Sequence, residues 1–451
     1  MKLETLFSET SPQKLFLKTA IPGAIGMAAF SLYMLIEGIL IGQLVGAIAF
    51  AALNLALPFV MLNFNLADLI GVGAAVPISI SLGQKEQAKA NNIFTCACIL
   101  IIASAIFMGT ILFTFAPWIM SLMGAEGELA DFAVKYLRVT ALCSPLVTMM
   151  FATDNYLRIC GKIRTSMIIN VLMSVVSLVF QVLFLIVLDL GIVGAALATS
   201  LGMCVCSLIG IYPFLRGKLQ LRFCKPRFSF AMIKQIVACG SPNFLSTTAG
   251  RITSILMNVL LLKFGGAIAV SIYGVLMSVE GMVQSFFYGV CDSLQPAVSY
   301  NWGNGKISRV RAIEKYCFFA AAIISILFAV LSFCFPVQIT TLFIDDPSTE
   351  FMNTSVLAIR LFSLSYLTRW FSFATQSFFL SIEKPMPASV ISLSTALIFP
   401  VIALVLVWPL GLTGLWLNLP TTAFLALILS AVYLLKYRKE LSFSPPTHGR
   451  H

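Results

Sequence analysis

The sequence has almost no histidine. Its two histidines, His448 and His451, lie near the carboxyl end, after Pro445-Pro446. The apolar body of the chain therefore offers no histidine for a metal site, a proton relay or a catalytic base. No segment has the form GxxxxGK[ST], so the sequence contains no phosphate-binding loop for ATP hydrolysis. We predict a protein that is not an enzyme and that holds no organic cofactor.

Charge is also scarce. Charged residues make up 10% of the chain and hydrophobic residues 59%, with a mean hydropathy of +0.97. A soluble domain needs a more charged surface than this. The apolar runs are about 20 residues long, which favours helices over the strands of about 10 residues in a membrane barrel. The composition predicts an all-α integral membrane protein with about twelve transmembrane helices.

The positive charge is concentrated in alternate loops. The longest of these, from Arg216 to Arg227, carries five Lys or Arg residues and no acid. Because basic loops stay in the cytoplasm, we expect both termini there, in the plasma membrane or bacterial inner membrane. The flanking segments are lipid-like, which excludes nucleic acid as a partner and leaves membrane lipids.

The two halves of the chain repeat each other. Three short motifs recur 220 to 222 residues later: Gly46-Ala-Ile-Ala as Gly266-Ala-Ile-Ala, Leu190-Gly191-x-x-Gly194 as Leu410-Gly411-x-x-Gly414, and Phe151-Ala-Thr as Phe373-Ala-Thr. This spacing predicts two pseudo-symmetric six-helix bundles around a central cavity, in parallel orientation. Many alternating-access transporters have this plan, whereas a static channel does not need it.

The repeat sets the predicted domain boundaries. We place an N-terminal six-helix bundle at 1–215 and a cytoplasmic basic linker at 216–237. A C-terminal six-helix bundle follows at 238–440, and a cytoplasmic tail at 441–451.

Several motifs spread over nearly the whole chain carry a resemblance to one family. They are Gly71-Val-Gly-Ala-Ala-Val-Pro77, Ser81-Leu-Gly-Gln84, Leu157-Arg158 with Gly161, Gly191-Ile-Val-Gly-Ala-Ala-Leu-Ala-Thr199 and Gln295-Pro-Ala-Val-Ser-Tyr-Asn-Trp-Gly303. Together they resemble the multidrug and toxic compound extrusion family of cation-coupled exporters. That family belongs to a superfamily that includes lipid-linked sugar flippases, so the fold alone does not define the substrate.

Glu37 is the first candidate for a coupling residue. A carboxylate within a span is costly to insert, which makes it a functional candidate by default. Tyr33 lies one turn earlier on the same helix face. The resemblance implies that Ser177, Gln181 and Thr199 complete a cation site with Glu37. Gln181 stands where the family carries a second acid. The loss of that acid favours H⁺ over Na⁺ as the coupling ion, or a site whose role Glu280 shares. The alternative for Glu37 is a residue that serves packing alone.

Other polar residues within the spans are candidates for the cavity. Asp68 lies on an unusually polar second span, and we expect it to face the cavity or to pair with a basic residue. Glu280 and Gln284 share a helix face, and the acid suits a cationic substrate. Asp292 lines the cavity or braces the helix break at Pro296. By charge, we expect Arg251 and Arg369 to be the buried partners of these acids, and an arginine paired with Glu280 weakens the substrate role of Glu280.

These features together predict a cation-coupled antiporter, driven by H⁺ or Na⁺, that exports small organic cations by alternating access. We expect a monomer with no metal beyond Na⁺ at Glu37. The alternative within transport is a flippase for a lipid-linked saccharide, which favours a basic cavity, whereas the candidate cavity residues are mainly acidic. A membrane enzyme or a channel is the alternative outside this class.

Overall fold

The computed structural model describes residues 4–344 and 348–437, and this part of the chain is helical without a strand. The predicted tail at 441–451 lies outside the described residues. The helices are α1 Pro12–Leu40, α2 Ala47–Gly83, α3 Gln87–Leu122, α4 Gly127–Ile159, α5 Ile163–Gln181, α6 Gly191–Leu215, α7 Phe230–Gly266, α8 Ile268–Gly303, α9 Ile307–Cys334, α10 Pro336–Phe343, α11 Thr349–Ser363, α12 Tyr366–Ser381, α13 Pro385–Leu393, α14 Phe399–Val407 and α15 Gly411–Tyr437. The all-α prediction is confirmed.

The described helices also account for the predicted number of spans. Ten segments of residues 4–344 and 348–437 are long and apolar enough to cross a membrane. One of them, Pro385–Tyr437, has 53 residues and is divided by the turn at Gly411, so it contains two spans. A further span is interrupted between α11 and α12, which are 15 and 16 residues long and too short to count singly.

The internal repeat is visible in the backbone turns. Four of the turns that place a residue at positive φ in the first half recur at the same point of the second half: Gly46 (φ 110°) with Gly266 (φ 63°), Lys85 (φ 65°) with Gly305 (φ 71°), Gly161 (φ 72°) with Glu383 (φ 60°), and Gly191 (φ 55°) with Gly411 (φ 57°). Left-handed backbone is strained for residues with a Cβ, so such turns do not recur in register by chance. The repeated motifs therefore mark equivalent turns of two related halves.

The chain forms two compact units, which divide α1 and separate near the start of α7. Among the described residues, one unit contains 4–9 and 25–240, and the other contains 10–24, 241–344 and 348–437. The first half of α1 packs within the second unit, where Gly23 lies against α8: a Cβ at Gly23 would be 2.4 Å from the carbonyl oxygen of Gly289. This close approach requires glycine. The assignment of residues 10–24 differs from a simple division at the linker.

The basic linker is held against α3. Its backbone is irregular up to Ser229. Helix α7 begins at Phe230, which is earlier than the start of the C-terminal bundle predicted at residue 238. Asn92 binds both backbone groups of Arg227: its Oδ1 accepts from the Arg227 N–H at 2.8 Å, and its Nδ2 donates to the Arg227 carbonyl at 2.9 Å. The Cys224 N–H donates to Thr95 at 3.1 Å. The five basic side chains remain exposed.

We predict that Gly266→Ala lowers the thermal stability of the purified protein. A Cβ at Gly266 meets no atom within 4 Å, so the loss comes from the backbone conformation alone (φ 63°, ψ −159°), about 1–3 kcal/mol. Gly274→Ala is the matched control, because Gly274 is helical and equally uncrowded. Melting curves in detergent that place Gly266→Ala at or above Gly274→Ala would contradict the argument.

We predict that Asn92→Ala accelerates tryptic cleavage of the linker. The substitution releases both backbone groups of Arg227, so the segment samples the extended conformations that a protease needs. Limited trypsinolysis followed by mass spectrometry of the fragments measures the rate. Asn54→Ala is the control, since Asn54 bonds only within its own helix, to the Phe50 carbonyl. Equal rates for the two variants would show that Asn92 does not hold the linker.

Candidate functional site

Glu37 lies at the end of a buried chain of hydrogen bonds in the N-terminal unit. Thr199 donates to the Glu37 carboxylate. The Tyr33 hydroxyl lies 2.6 Å from Thr199 Oγ1, and Gln181 Nε2 donates to Tyr33 at 3.3 Å. All four side chains are buried. Because Thr199 donates to Glu37, it accepts from Tyr33, which gives one direction to the whole chain.

The helices position these side chains at irregular points of the fold. Glu37 and Tyr33 share a face of α1 shortly before a π-helical turn at Ile41–Val45. Gln181 ends α5 and precedes a second π-helical turn at Val182–Val187. Such turns interrupt the regular backbone pairing and occur frequently at functional sites. Thr199 comes from α6, so three helices contribute to the chain of hydrogen bonds.

A small cavity of about 20 Å³ lies beside the Glu37 carboxylate. It is lined by Glu37, Tyr136, Thr140, Thr199 and Ser200 together with apolar side chains. This volume is sufficient for one water molecule, and the polar lining supplies the hydrogen-bonding partners that a buried water needs. The cavity therefore provides room for a proton carrier or a small ion at the carboxylate.

The donor set suits either coupling ion. Gln181 Oε1 is buried without a hydrogen-bond partner among the described residues. Ser177 is fully buried and close to α6, where a Cβ at Gly202 would lie 2.0 Å from its Oγ. With Glu37, Tyr33 and Thr199, these are oxygen ligands of the kind that hard cations prefer. The hydrogen-bonded chain that ends at a carboxylate fits a proton equally well.

Asp68 is half-buried on α2 and has a polar interaction of its own. It is not among the residues that line the small cavity. Its neighbour Asn63 serves the packing of the unit, donating to Ser144 of α4 at 2.5 Å. A role of Asp68 in coupling stays a prediction.

Glu280 forms an ion pair in the C-terminal unit. Its Oε1 lies 2.5 Å from an Arg369 guanidinium nitrogen, and only 12% of its side chain is exposed. The same Arg369 nitrogen donates to Gln284 Oε1 at 3.0 Å. Glu280 and Gln284 therefore share the face that their spacing predicted, and both contact the same arginine. Arg369 is thus the arginine paired with Glu280, which weakens Glu280 as an acceptor for a cationic substrate.

This ion pair lines a cavity of about 380 Å³ in the C-terminal unit. Arg251 of α7 lines it as well and has no ion pair or hydrogen bond with any residue of the described ranges. The charged lining is two arginines and one acid, so the expectation of a mainly acidic cavity does not hold here. Asp292 lies outside the lining, in a π-helical turn of α8, and accepts from Ser377 at 3.5 Å.

Sequence reasoning missed several residues of both sites. Tyr136 of α4 lies beside Glu37, and Tyr366 of α12 lies beside Glu280. Trp416 and Thr422 of α15 line the larger cavity. A single tyrosine, tryptophan or threonine in an apolar run carries no distinctive spacing, so no signal in the sequence marked these four residues. Only the packing of their helices shows them.

Comparisons with known proteins agree with this architecture. The MatE family model matches residues 22–183 and 242–405, more than half of the chain. The multidrug export protein MepA of Staphylococcus saprophyticus is 27% identical over 97% of this chain and 98% of its own length. MepA of Staphylococcus aureus is 25% identical over the full length of both. An outward-facing structure of a multidrug resistance MATE transporter has a TM-score of 0.89 at 24% identity, covering 98% of this chain and 99% of its own.

We predict that Arg369→Gln destabilises the C-terminal unit. It leaves the Glu280 carboxylate buried without its partner, which costs about 3–5 kcal/mol for a pair of this kind. The double variant Glu280→Gln, Arg369→Gln should regain most of this stability, because both charges are gone. Thermal unfolding in detergent measures both variants. A double variant as unstable as the single one would mean that the pair does not act as a unit.

Proposed function

This chain belongs to the MatE family, and from that membership we propose that it exports small organic solutes in exchange for a coupling cation. The membership confirms the resemblance seen in the sequence and the prediction of a membrane transporter that is not an enzyme. The MepA relatives are multidrug export proteins, which supports multidrug efflux here. The proposal of cation coupling rests on one observation: the Glu37 carboxylate is buried and accepts a hydrogen bond from the Thr199 hydroxyl.

A proton on Glu37 reverses the hydrogen bond that it makes with Thr199. The unprotonated carboxylate only accepts, so Thr199 donates to it. A protonated Glu37 donates instead, and Thr199 then turns to its other acceptor, the Ala195 carbonyl at 3.3 Å. Protonation thereby reorganises the contact between α1 and α6. Coupling requires such a difference between two states, because an ion that binds both equally shifts neither.

We favour H⁺ as the coupling ion. The site has one carboxylate, with Gln181 in place of a second acid, and a single charge attracts Na⁺ less strongly. The orphan Gln181 Oε1 keeps Na⁺ as the second candidate, with Glu37, Ser177 and Thr199 as the other oxygen ligands. Whether the exported solutes are cationic stays a prediction, and the pairing of Glu280 with Arg369 removes one carboxylate on which it depended.

The setting of this activity follows from the distribution of charge. We propose the plasma membrane, bacterial in type, with both termini in the cytoplasm, because the basic loops alternate along the chain. The exposed arginines and lysines of the linker suit contact with anionic lipid headgroups. We propose that the monomer is the working unit. One chain contains both the Glu37 site, in the N-terminal unit, and the larger cavity, in the C-terminal unit.

We predict that Glu37→Gln abolishes gradient-driven export while the protein still folds. The amide cannot exchange a proton, but it fills the same space and still accepts from Thr199. Export from proteoliposomes is measured with a cationic dye, ethidium, and an anionic one, carboxyfluorescein, under a pH gradient or a Na⁺ gradient imposed separately. Glu86→Gln, an exposed carboxylate after α2, is the control.

The gradients separate the two coupling ions. Export driven by the pH gradient and lost in Glu37→Gln supports H⁺ coupling, and export that requires Na⁺ assigns the site to Na⁺ instead. Normal export by Glu37→Gln would remove Glu37 from the mechanism. Absence of export of either dye under both gradients would contradict the exporter and direct attention to a lipid-linked substrate.

A further inference from the structure

The cavity in the C-terminal unit has the size of a site for one small organic molecule. Its volume of about 380 Å³ lies within the range of ligand pockets, about 300–1,000 Å³. Residues of α7, α8, α11, α12, α14, α15 and the turn between α13 and α14 form the wall, with Met257, Tyr288 and Trp416 among the apolar and aromatic side chains. This wall suits a compact apolar body, and the volume is too small for an oligosaccharide on a lipid carrier.

The charges of the wall do not balance. Arg251, Glu280 and Arg369 are the charged residues among those that line it. Glu280 is occupied by Arg369 at 2.5 Å, so the pair contributes no net charge. Arg251 then stands as a single cation without a partner in residues 4–344 and 348–437. The Arg251 side chain is exposed at the cavity, and none of the protein's described side chains supplies an anionic partner for it.

We propose that this cavity binds an organic anion, an apolar or aromatic body that carries a carboxylate, with Arg251 as its anchor. A guanidinium presents parallel N–H donors that match the two oxygens of a carboxylate. Thr422 offers a further donor from the wall, since its hydroxyl is buried and has no partner among the described residues. The inference rests on the proposed export of organic solutes and specifies the charge of the solute that this cavity accepts.

A cation is a poorer occupant for two reasons. It meets the positive charge of Arg251, and like charges repel each other. It also has to displace Arg369 from Glu280, which leaves the Arg369 guanidinium without its partner. A carboxylate pairs with Arg251 and leaves the ion pair intact. The arrangement therefore selects by charge, while the apolar wall tolerates different bodies.

Three ligands with the same aromatic body test the proposal: naphthaleneacetate, its neutral amide naphthaleneacetamide, and the cation naphthylmethylammonium. Binding is measured by calorimetry on the full chain in phosphatidylcholine nanodiscs, with protein-free nanodiscs as the blank. We expect the carboxylate to bind about tenfold more tightly than the amide or the ammonium, as one charge-assisted pair provides. Arg251→Gln should remove this preference, and Arg251→Lys should keep part of it.

Two further variants distinguish a site for anions from a site for cations and control for the loss of a positive charge. Glu280→Gln frees Arg369 to contact the ligand, so it should tighten binding of the carboxylate, whereas it would weaken binding at a site for cations. Arg360→Gln removes a positive charge of the same unit that lies outside the cavity, over the Phe333 ring, and should change nothing.

Three outcomes would overturn the proposal: tightest binding of the ammonium, no binding of the carboxylate, or a preference for the carboxylate that survives Arg251→Gln. The proposed function is tested separately, because dye export and its loss in Glu37→Gln do not depend on these ligands. Gradient-driven export together with absent carboxylate binding would reject only the assignment of an anionic ligand to this cavity.

Discussion

A carboxylate inside a membrane must find its partner within the protein, because the hydrocarbon region supplies no water. The two units meet this constraint differently. Glu37 is paired with neutral hydroxyl groups, whose hydrogen bonds can reverse when a proton arrives. Glu280 is paired with a permanent cation, Arg369. The first arrangement allows a change of charge at the carboxylate, and the second resists it.

Side chains of α3 hold the backbone of the basic linker. Asn92 pairs with the N–H and the C=O of Arg227, and Thr95 accepts from the N–H of Cys224. The charged side chains of the linker stay exposed. The linker is thus held through its backbone, while its charged side chains remain accessible to solvent.

Much of this organisation was accessible from local patterns. Apolar run length predicted the helices, and short motifs at constant spacing predicted the duplicated halves, which the matched turns at Gly46 and Gly266 bear out. Helical spacing correctly placed Tyr33 with Glu37 and Glu280 with Gln284. The choice of Arg369 over Arg251 as the partner of Glu280 was not accessible, since both lie on other helices and carry the same charge.

The sequence by itself determined the membrane class, the span pattern, the repeat and which carboxylates lie in the spans, because each depends on neighbours within one helix or loop. Only the tertiary structure decided that Tyr136 lies beside Glu37 and that the larger cavity carries an unpaired arginine. It also placed the first half of α1 in the C-terminal unit. Contacts between helices depend on their rotation and separation, and residue spacing along one helix contains neither quantity.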